Sequence, residues 1–516
     1  ICKREGYRQI MSEQQNTPAL PTEERTVSAG NGAVWNCPEF KLSGIFSSHM
    51  VLQRDKPIRV WGFSRYPGST VTGEFMGETV RATVTEAAPA DGRWTLTFPP
   101  HAYTREPQRM VIRDESGHEA VLEDILIGDV WLIGGQSNAE LTLAPCMTMT
   151  PSVEFSEEDN FRLFTQTQAF VAANQMYCEQ PQLDIINPAW CWKRPGREAS
   201  LEFSAMGWYF ARELTKQIDV PLGLVMICAG GACIRELIPE ELAHAQGYLC
   251  GANVREAGYY NALIHPLEGL AFTAQLFFQG ESEGGERALA EKYAYELALL
   301  VADERQRFAT GFPFYNVQLS SYREEGAAFF PWLDIIRMQQ FDAQRLIPDS
   351  TLTVDMDLGA PEGYPDWAHS PRKLELAERL AALVLARQYG IGNERESGVP
   401  RSGRQERYSG VRERGRGADG RRSRSGGQSR HGGRGLFGRR LRLPHARACD
   451  RDKPVRRDGR DSGECSRRFA RQLCVLPCGH AGERNPARRQ QSACSRVFTR
   501  TLTSLQRDTA FPTTQR

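Results

Sequence analysis

Hydrophobic and polar positions follow two different patterns along the chain, and the change falls between residues 120 and 130. Before it, short runs rich in β-branched and aromatic residues are separated by turn residues such as Pro67-Gly68 and Asp91-Gly92. Such runs predict a small β-sandwich. The strands predicted here are residues 50–53, 58–62, 69–73, 79–84, 94–98 and 110–113.

The second pattern alternates apolar runs of strand length with segments of helical spacing. Strands are predicted at the stretch ending near residue 135 and at 222–228, 275–278, 313–319 and 352–355, with helices at 203–214, 288–308, 331–344 and 372–389. This order predicts a three-layer α/β/α domain built on a mostly parallel, doubly wound sheet. The predicted organisation is an extension at 1–39, a β-sandwich at 40–120, an α/β domain at 121–392 and a tail at 393–516.

The tail differs in composition from everything before it. About thirty arginines but a single lysine, Lys453, follow Arg395, although the formal charge of the 516-residue chain is only +1. A segment so dense in Arg, Gly and Ser cannot supply a packed core. Translation in the wrong reading frame explains this composition better than a nucleic-acid-binding tail, so nucleic acid is not the expected partner.

Other compositional features exclude several classes of protein. The chain has no run of eighteen apolar residues and no secretory leader pattern, so we expect no membrane span and a cytoplasmic location. Its thirteen cysteines fit free buried thiols better than a disulfide framework. The pair Cys474 and Cys478 lacks a second pair of ligands, so no zinc site is predicted.

Ser137 is the candidate nucleophile, because it follows the apolar strand and two glycines in Gly134-Gly-Gln-Ser-Asn138. Strand ends in parallel sheets are where reacting groups gather. A simple helix cap is the alternative for Ser137. His369 is the candidate base and Asp366, three residues earlier, the carboxylate that would orient it. The alternative for His369 is an ordinary surface histidine.

An ester hydrolase also needs hydrogen-bond donors for an oxyanion. Gly231 lies in Ala229-Gly-Gly-Ala232 after one predicted strand, and Gln279 follows another in Phe278-Gln-Gly-Glu-Ser282. Each signal alone is weak, since glycines after strands are often only turns. Because these sites all follow strands of one parallel sheet, we expect them to meet at one edge.

These motifs together resemble the sialate O-acetylesterase family, which belongs to the SGNH (GDSL-like) hydrolases. The resemblance extends from about residue 40 to residue 389. It includes residues 45–62 with Asp91-Gly-Arg-Trp94, the block Gly134-Gly-Gln-Ser-Asn138, the helix at 203–214, residues 260–267 and Gln279-Gly-Glu-Ser282.

The resemblance implies a serine esterase that removes O-acetyl groups from sialic acid or a related sugar through an acetyl-serine. It implies Ser137 as nucleophile, His369 as base and Asp366 as its orienting carboxylate. It further implies an oxyanion hole formed by the N–H groups of Ser137 and Gly231 and the Gln279 amide, with no metal or organic cofactor. The expected substrate contacts are Gln136, Asn138 and Glu281.

The sequence departs from the family pattern at several positions. Ala139 and Glu283 replace the usual Met and Asn, residues 232–237 differ from the usual stretch, and Ala368 fills the place where an Asp is expected. These differences bear most on substrate preference and on Asp366. An acetyl xylan or other carbohydrate esterase is the alternative enzyme, and a carbohydrate- or nucleic-acid-binding protein the non-enzymatic alternative.

Overall fold

The computed structural model describes residues 38–85, 92–149, 153–166, 177–245, 257–308 and 310–392. Most of the predicted N-terminal extension and all of the arginine-rich tail, with Cys474 and Cys478, lie outside the described residues. The predictions made for those segments stay predictions.

The first part of the described chain forms two facing β-sheets. One contains β1, β3 and β6 in antiparallel pairing; in the other, β4 lies between β5 and β7. The sheets pack through large side chains: the rings of Phe75 and Phe98 lie 5.7 Å apart, edge to face. The strand bounds are β1 Lys41–Leu42, β2 Val51–Gln53, β3 Ile58–Phe63, β4 Thr70–Phe75, β5 Glu78–Thr83, β6 Arg93–Phe98 and β7 Thr104–Asp114.

The strand β8, Glu119–Gly135, belongs to both parts of the fold. Its first half pairs with β7 and β2, and its second half pairs in parallel with β11 and β12. The central sheet has the order β10-β9-β11-β8-β12-β13-β14, in which only the β10–β9 pair is antiparallel. The remaining strands are β9 Phe161–Gln166, β10 Trp192–Lys193, β11 Leu222–Cys228, β12 Ala274–Phe278, β13 Phe314–Val317 and β14 Ser350–Thr353.

Helices connect the parallel strands and cover the sheet. Two pairs pack together, α4 with α11 and α8 with α10, and Phe210 of α4 lies 4.8 Å from Trp131 of β8. The helices are α1 Ser137–Glu140, α2 Leu143–Cys146, α3 Arg197–Leu201, α4 Ala205–Thr215, α5 Ile234–Leu237, α6 Glu240–Ala245, α7 Arg287–Ala290, α8 Tyr293–Arg307, α9 Glu324–Phe329, α10 Leu333–Leu346 and α11 Lys373–Val384. The predicted α/β fold with a preceding β-structure is confirmed.

The differences from the predicted elements are local. The strand β9 was not predicted, because Arg162 interrupts its apolar run; the buried guanidinium lies 3.5 Å from Asp124 and donates to the Phe161 carbonyl. The helix predicted at 288–308 is divided into α7 and α8. The last predicted helix ends at Val384 and continues as a wider turn, Leu385–Tyr389.

Two further predictions concern cysteines and membranes. Within the described ranges the cysteines are all free, and three of them are buried, as the composition suggested. No helix in these ranges is long and apolar enough to cross a membrane.

Candidate functional site

The turn that carries Ser137 is held between two neighbouring strands. Gly135, the last residue of β8, has φ +134, and a Cβ there would lie 2.1 Å from the Phe278 carbonyl oxygen, so only glycine fits. The Gln136 N–H donates to that same carbonyl at 3.1 Å, and the Ala229 N–H donates to the Gly135 carbonyl at 3.1 Å. Ser137 then begins α1, half-buried and accessible.

Ser137, His369 and Asp366 form a continuous hydrogen-bonded chain. The Ser137 Oγ lies 2.8 Å from His369 Nε2, and His369 Nδ1 lies 2.7 Å from Asp366 Oδ2. A carboxylate only accepts, so Nδ1 carries the proton and Nε2 is left to accept the serine hydroxyl. Ser137 does not cap α1 through its side chain, and His369 is not a solitary surface histidine.

Asp366 is held in place by the backbone of the same loop. Its Oδ1 accepts the N–H groups of Ala368 at 2.9 Å and His369 at 3.1 Å. Partial burial would raise the pKa of Asp366, but the hydrogen bonds from His369 and these N–H groups outweigh it and lower the pKa below its usual value. The carboxyl therefore stays ionised near neutral pH, although an Asp was expected at position 368.

The turn after β11 offers one of the predicted oxyanion donors. Gly231 is exposed with φ +75, and its N–H donates to no residue in the described part of the chain. Its carbonyl accepts the Ser282 hydroxyl at 2.9 Å, which fixes the orientation of the turn. β11 is the parallel neighbour of β8, with Cys228 opposite Gly135.

The structure does not support the third predicted oxyanion donor, the Gln279 amide. This buried side chain donates both amide hydrogens inside the protein, to the Ala232 carbonyl at 3.0 Å and to Glu283 Oε2 at 2.6 Å. The signal that sequence reasoning underrated was Glu283, whose carboxylate takes the amide that an Asn at that position would not take in the same way.

The structure corrects all three predicted substrate contacts. Asn138 and Glu281 are 2% and 3% exposed and bond to each other, with Asn138 Nδ2 at 2.6 Å from Glu281 Oε1. Gln136 is also turned inward, and its Oε1 accepts the Gly280 N–H at 3.2 Å. These side chains support the turn that carries Ser137 and do not face a substrate.

Several buried polar residues near the site were missed by sequence reasoning. The Tyr322 hydroxyl donates to Glu281 Oε1 at 2.8 Å, Lys373 Nζ donates to Asn138 Oδ1 at 2.9 Å, and the Ser320 hydroxyl donates to Asp355. Lys373 could have been found, because it stands in helical register with the buried residues 376, 377 and 380 of α11. The pattern places a lysine on an apolar face.

Aromatic rings pack beside the loop that carries His369. Trp367 contacts Tyr322, Phe329 and Phe330, with ring centroids 6.1 to 6.4 Å apart. A Cβ on Gly326 of α9 would lie 2.7 Å from the Trp367 ring, so the helix packs directly on it. The histidine loop is thereby fixed from the side of β13.

The chemistry available at this site is acyl transfer by a serine. No cluster of three or more His, Cys, Asp or Glu side chains suited to a metal occurs in the ranges that the structure describes. Burial raises the pKa of the nearby Cys146 thiol to about 12, so this cysteine is not a competing nucleophile.

Glu283 gives the site a testable pH dependence. Its Oε1 accepts the Ile234 N–H at 2.7 Å, and burial raises its pKa from 4.5 to about 8. Between these values the folded protein holds a proton that the unfolded chain has released, so stability falls as pH rises from about 4.5 to about 8. Glu283→Gln removes this titration and should gain about 2–4 kcal/mol in free energy of unfolding, relative to wild type, between pH 5 and pH 8.5.

Urea unfolding at pH 5, 7 and 8.5 measures this difference. The exposed Glu286→Gln is the matched control and should differ from wild type by a constant amount at all three values. A constant difference for Glu283→Gln as well would show that Glu283 is ionised throughout.

Comparison with known proteins places these residues in context. Residues 127–384, half of the chain, match the family model described as "Carbohydrate esterase, sialic acid-specific acetylesterase". Human sialate O-acetylesterase is 26% identical over 386 residues, covering 69% of this chain and 72% of the human protein. The mouse enzyme is 25% identical over 412 residues, covering 69% and 74%.

A solved structure is similar as well. The crystal structure of a carbohydrate acetylesterase from Xanthomonas citri superposes with a TM-score of 0.57 at 28% identity. The match covers 68% of this chain and 76% of that one. The similarity therefore includes the described β-structure and the α/β domain.

Proposed function

The chain belongs to the carbohydrate esterase family of sialic acid-specific acetylesterases, and from this we propose that Ser137, His369 and Asp366 are its catalytic triad. As a member of this family it is a carboxylic ester hydrolase that acts on O-acetyl esters of carbohydrates. The observation that carries the triad is the unbroken chain of hydrogen bonds from Ser137 Oγ to Asp366.

The first half of the proposed reaction forms an acetyl-enzyme. Ser137 Oγ attacks the acetyl carbonyl carbon while its proton passes to His369 Nε2. Asp366 stabilises the imidazolium and holds the ring. The N–H groups of Ser137 and Gly231 stabilise the oxyanion of the tetrahedral intermediate. Collapse breaks the ester bond, and His369 returns the proton to the departing sugar oxygen.

The second half releases acetate. A water molecule gives a proton to His369 Nε2 and attacks the acetyl-Ser137 carbonyl, again through an oxyanion at the same donors. Collapse then frees acetate, and the proton returns to Ser137 Oγ. The same three side chains serve both halves in opposite order.

We further propose sialic acid as the sugar, and Arg323 supports this choice. Unlike acetylated xylan, sialic acid carries a carboxylate, which favours an arginine partner. Arg323 follows Tyr322, whose hydroxyl lies 3.2 Å from Asn138 Nδ2, and it donates to the Tyr364 carbonyl of the histidine loop at 3.0 Å. Its Nε is buried without a hydrogen-bond partner, and among the described side chains no carboxylate pairs with it.

Acetate release from 9-O-acetylated sialic acid and from acetylated xylan tests this proposal. We expect a higher kcat/KM on the sialic acid, and Arg323→Gln should lower that value about tenfold through KM, because one hydrogen bond between charged groups is lost. Turnover of p-nitrophenyl acetate, which has no carboxylate, should not change. Faster hydrolysis of xylan would identify a xylan esterase, and equal loss on both substrates would assign Arg323 a structural role.

Two other predictions stand differently. Family membership removes the non-enzymatic alternative, a protein that only binds carbohydrate or nucleic acid. The cytoplasmic location stays a prediction.

A further inference from the structure

Lys373 is a buried lysine whose role the triad does not explain. Its residue is 1% exposed, at the first position of α11. Its Nζ donates to Asn138 Oδ1 at 2.9 Å and lies 4.9 Å from the centre of the Phe278 ring. No carboxylate of the described residues lies within 4.0 Å of it. Because burying an ammonium group is costly, a lysine without a direct ion pair needs an explanation.

The partner of Lys373, Asn138, joins the two catalytic segments. Asn138 directly follows Ser137, and its Nδ2 lies 3.1 Å from the carbonyl of Ala368, which directly precedes His369. The same Nδ2 lies 2.6 Å from Glu281 Oε1. One amide nitrogen therefore connects the turn of the nucleophile to the loop of the base.

This connection works in only one orientation of the amide. Rotation by 180° would turn Oδ1 toward the Ala368 carbonyl and the Glu281 carboxylate, which only accept hydrogen bonds, and Nδ2 toward Lys373, which only donates. Lys373 and Glu281 thus act from opposite sides to select the same orientation. Negative charge from Asp355 and Glu281 in turn keeps the buried ammonium charged, against burial, which lowers its pKa.

We propose that Lys373 is a positioning residue for ester hydrolysis: its ammonium fixes the orientation of the Asn138 amide, and that amide holds Ser137 in register with His369. The role rests on the proposed function of Ser137. Lys373 touches neither the reacting hydroxyl nor the imidazole, so it acts through Asn138. Removing it loosens the geometry of attack and leaves the approach of substrate unchanged.

Lys373→Met tests the proposal, because methionine keeps most of the length and removes the charge. With p-nitrophenyl acetate we expect kcat to fall on the order of 100-fold, as for a misplacement of about 1 Å, while KM stays within about threefold. The rate of Ser137 phosphylation by diisopropyl fluorophosphate should fall in parallel. Lys216→Met, at an exposed lysine of α4, is the control and should match wild type.

A second variant separates positioning from stability. Lys373→Met leaves Asp355 buried without its counter-charge, and Asp355→Asn in the same chain relieves this. We expect the double variant to recover the thermal midpoint while kcat stays low. Recovery of kcat together with stability, a kcat near wild type in folded Lys373→Met, or a double variant that does not fold would each overturn the proposal.

The proposed function can fail separately. If Ser137→Ala still releases acetate, the triad is wrong whatever Lys373 does. If Ser137→Ala is inactive and Lys373→Met retains full kcat, only the positioning role is lost.

Discussion

Ser137→Ala should abolish acetate release, lowering kcat/KM for p-nitrophenyl acetate by about 10⁴-fold or more. The hydroxyl forms the covalent bond to the acetyl group, and no other described side chain lies against His369 Nε2. The residual rate reflects stabilisation of the oxyanion alone. Steady-state kinetics on the purified variant measure this loss.

A matched serine shows whether the loss is specific. Ser69 lies in the N-terminal β-structure, where its exposed hydroxyl donates to the Tyr66 carbonyl. Ser69→Ala should keep wild-type activity. Activity of Ser137→Ala within tenfold of wild type would remove this serine from the mechanism.

Asp366→Asn should lower kcat by on the order of 10³-fold near neutral pH, with the thermal midpoint little changed. An asparagine can turn its amide nitrogen toward Nδ1, which leaves the proton on Nε2 and blocks acceptance of the serine hydrogen. The carboxylate also stabilises the imidazolium, and that stabilisation is lost. Kinetics and thermal unfolding on the same preparation separate the two effects.

Asp357 provides the control for a carboxyl near the same loop. It pairs with Arg379 on the surface, and the hydrogen bond from that arginine lowers the pKa of Asp357 to about 2. Asp357→Asn should keep kcat within about twofold of wild type. If both substitutions reduce kcat alike, Asp366 acts only by shaping the loop.

The extent of successful prediction differs between the elements and the side chains. Periodicity located β11 at its observed bounds, because Leu222–Cys228 is apolar throughout and buried throughout. It also brought Ser137 and Gly231 to one edge of the sheet, since parallel strands end together. It missed β9, where a buried arginine pairs with a carboxylate from a different part of the chain.

The direction of side chains could not be predicted in the same way. Asn138, Glu281 and Gln279 follow strands at the correct edge, yet all three point inward to partners far away in sequence. Lys373, for example, lies 235 positions from Asn138. Motif reading identifies which residues gather at a site, whereas the choice between facing substrate and supporting the site depends on long-range contacts.

The most direct test of the central claim is to trap the acyl position. Diisopropyl fluorophosphate should inactivate the enzyme with incorporation of one phosphoryl group per chain, and peptide mass spectrometry should locate it on Ser137. His369→Ala should react far more slowly, because the imidazole accepts the hydroxyl proton. Inactivation with the label on another residue, or equal labelling of Ser137 in His369→Ala, would contradict a Ser137 nucleophile activated by His369.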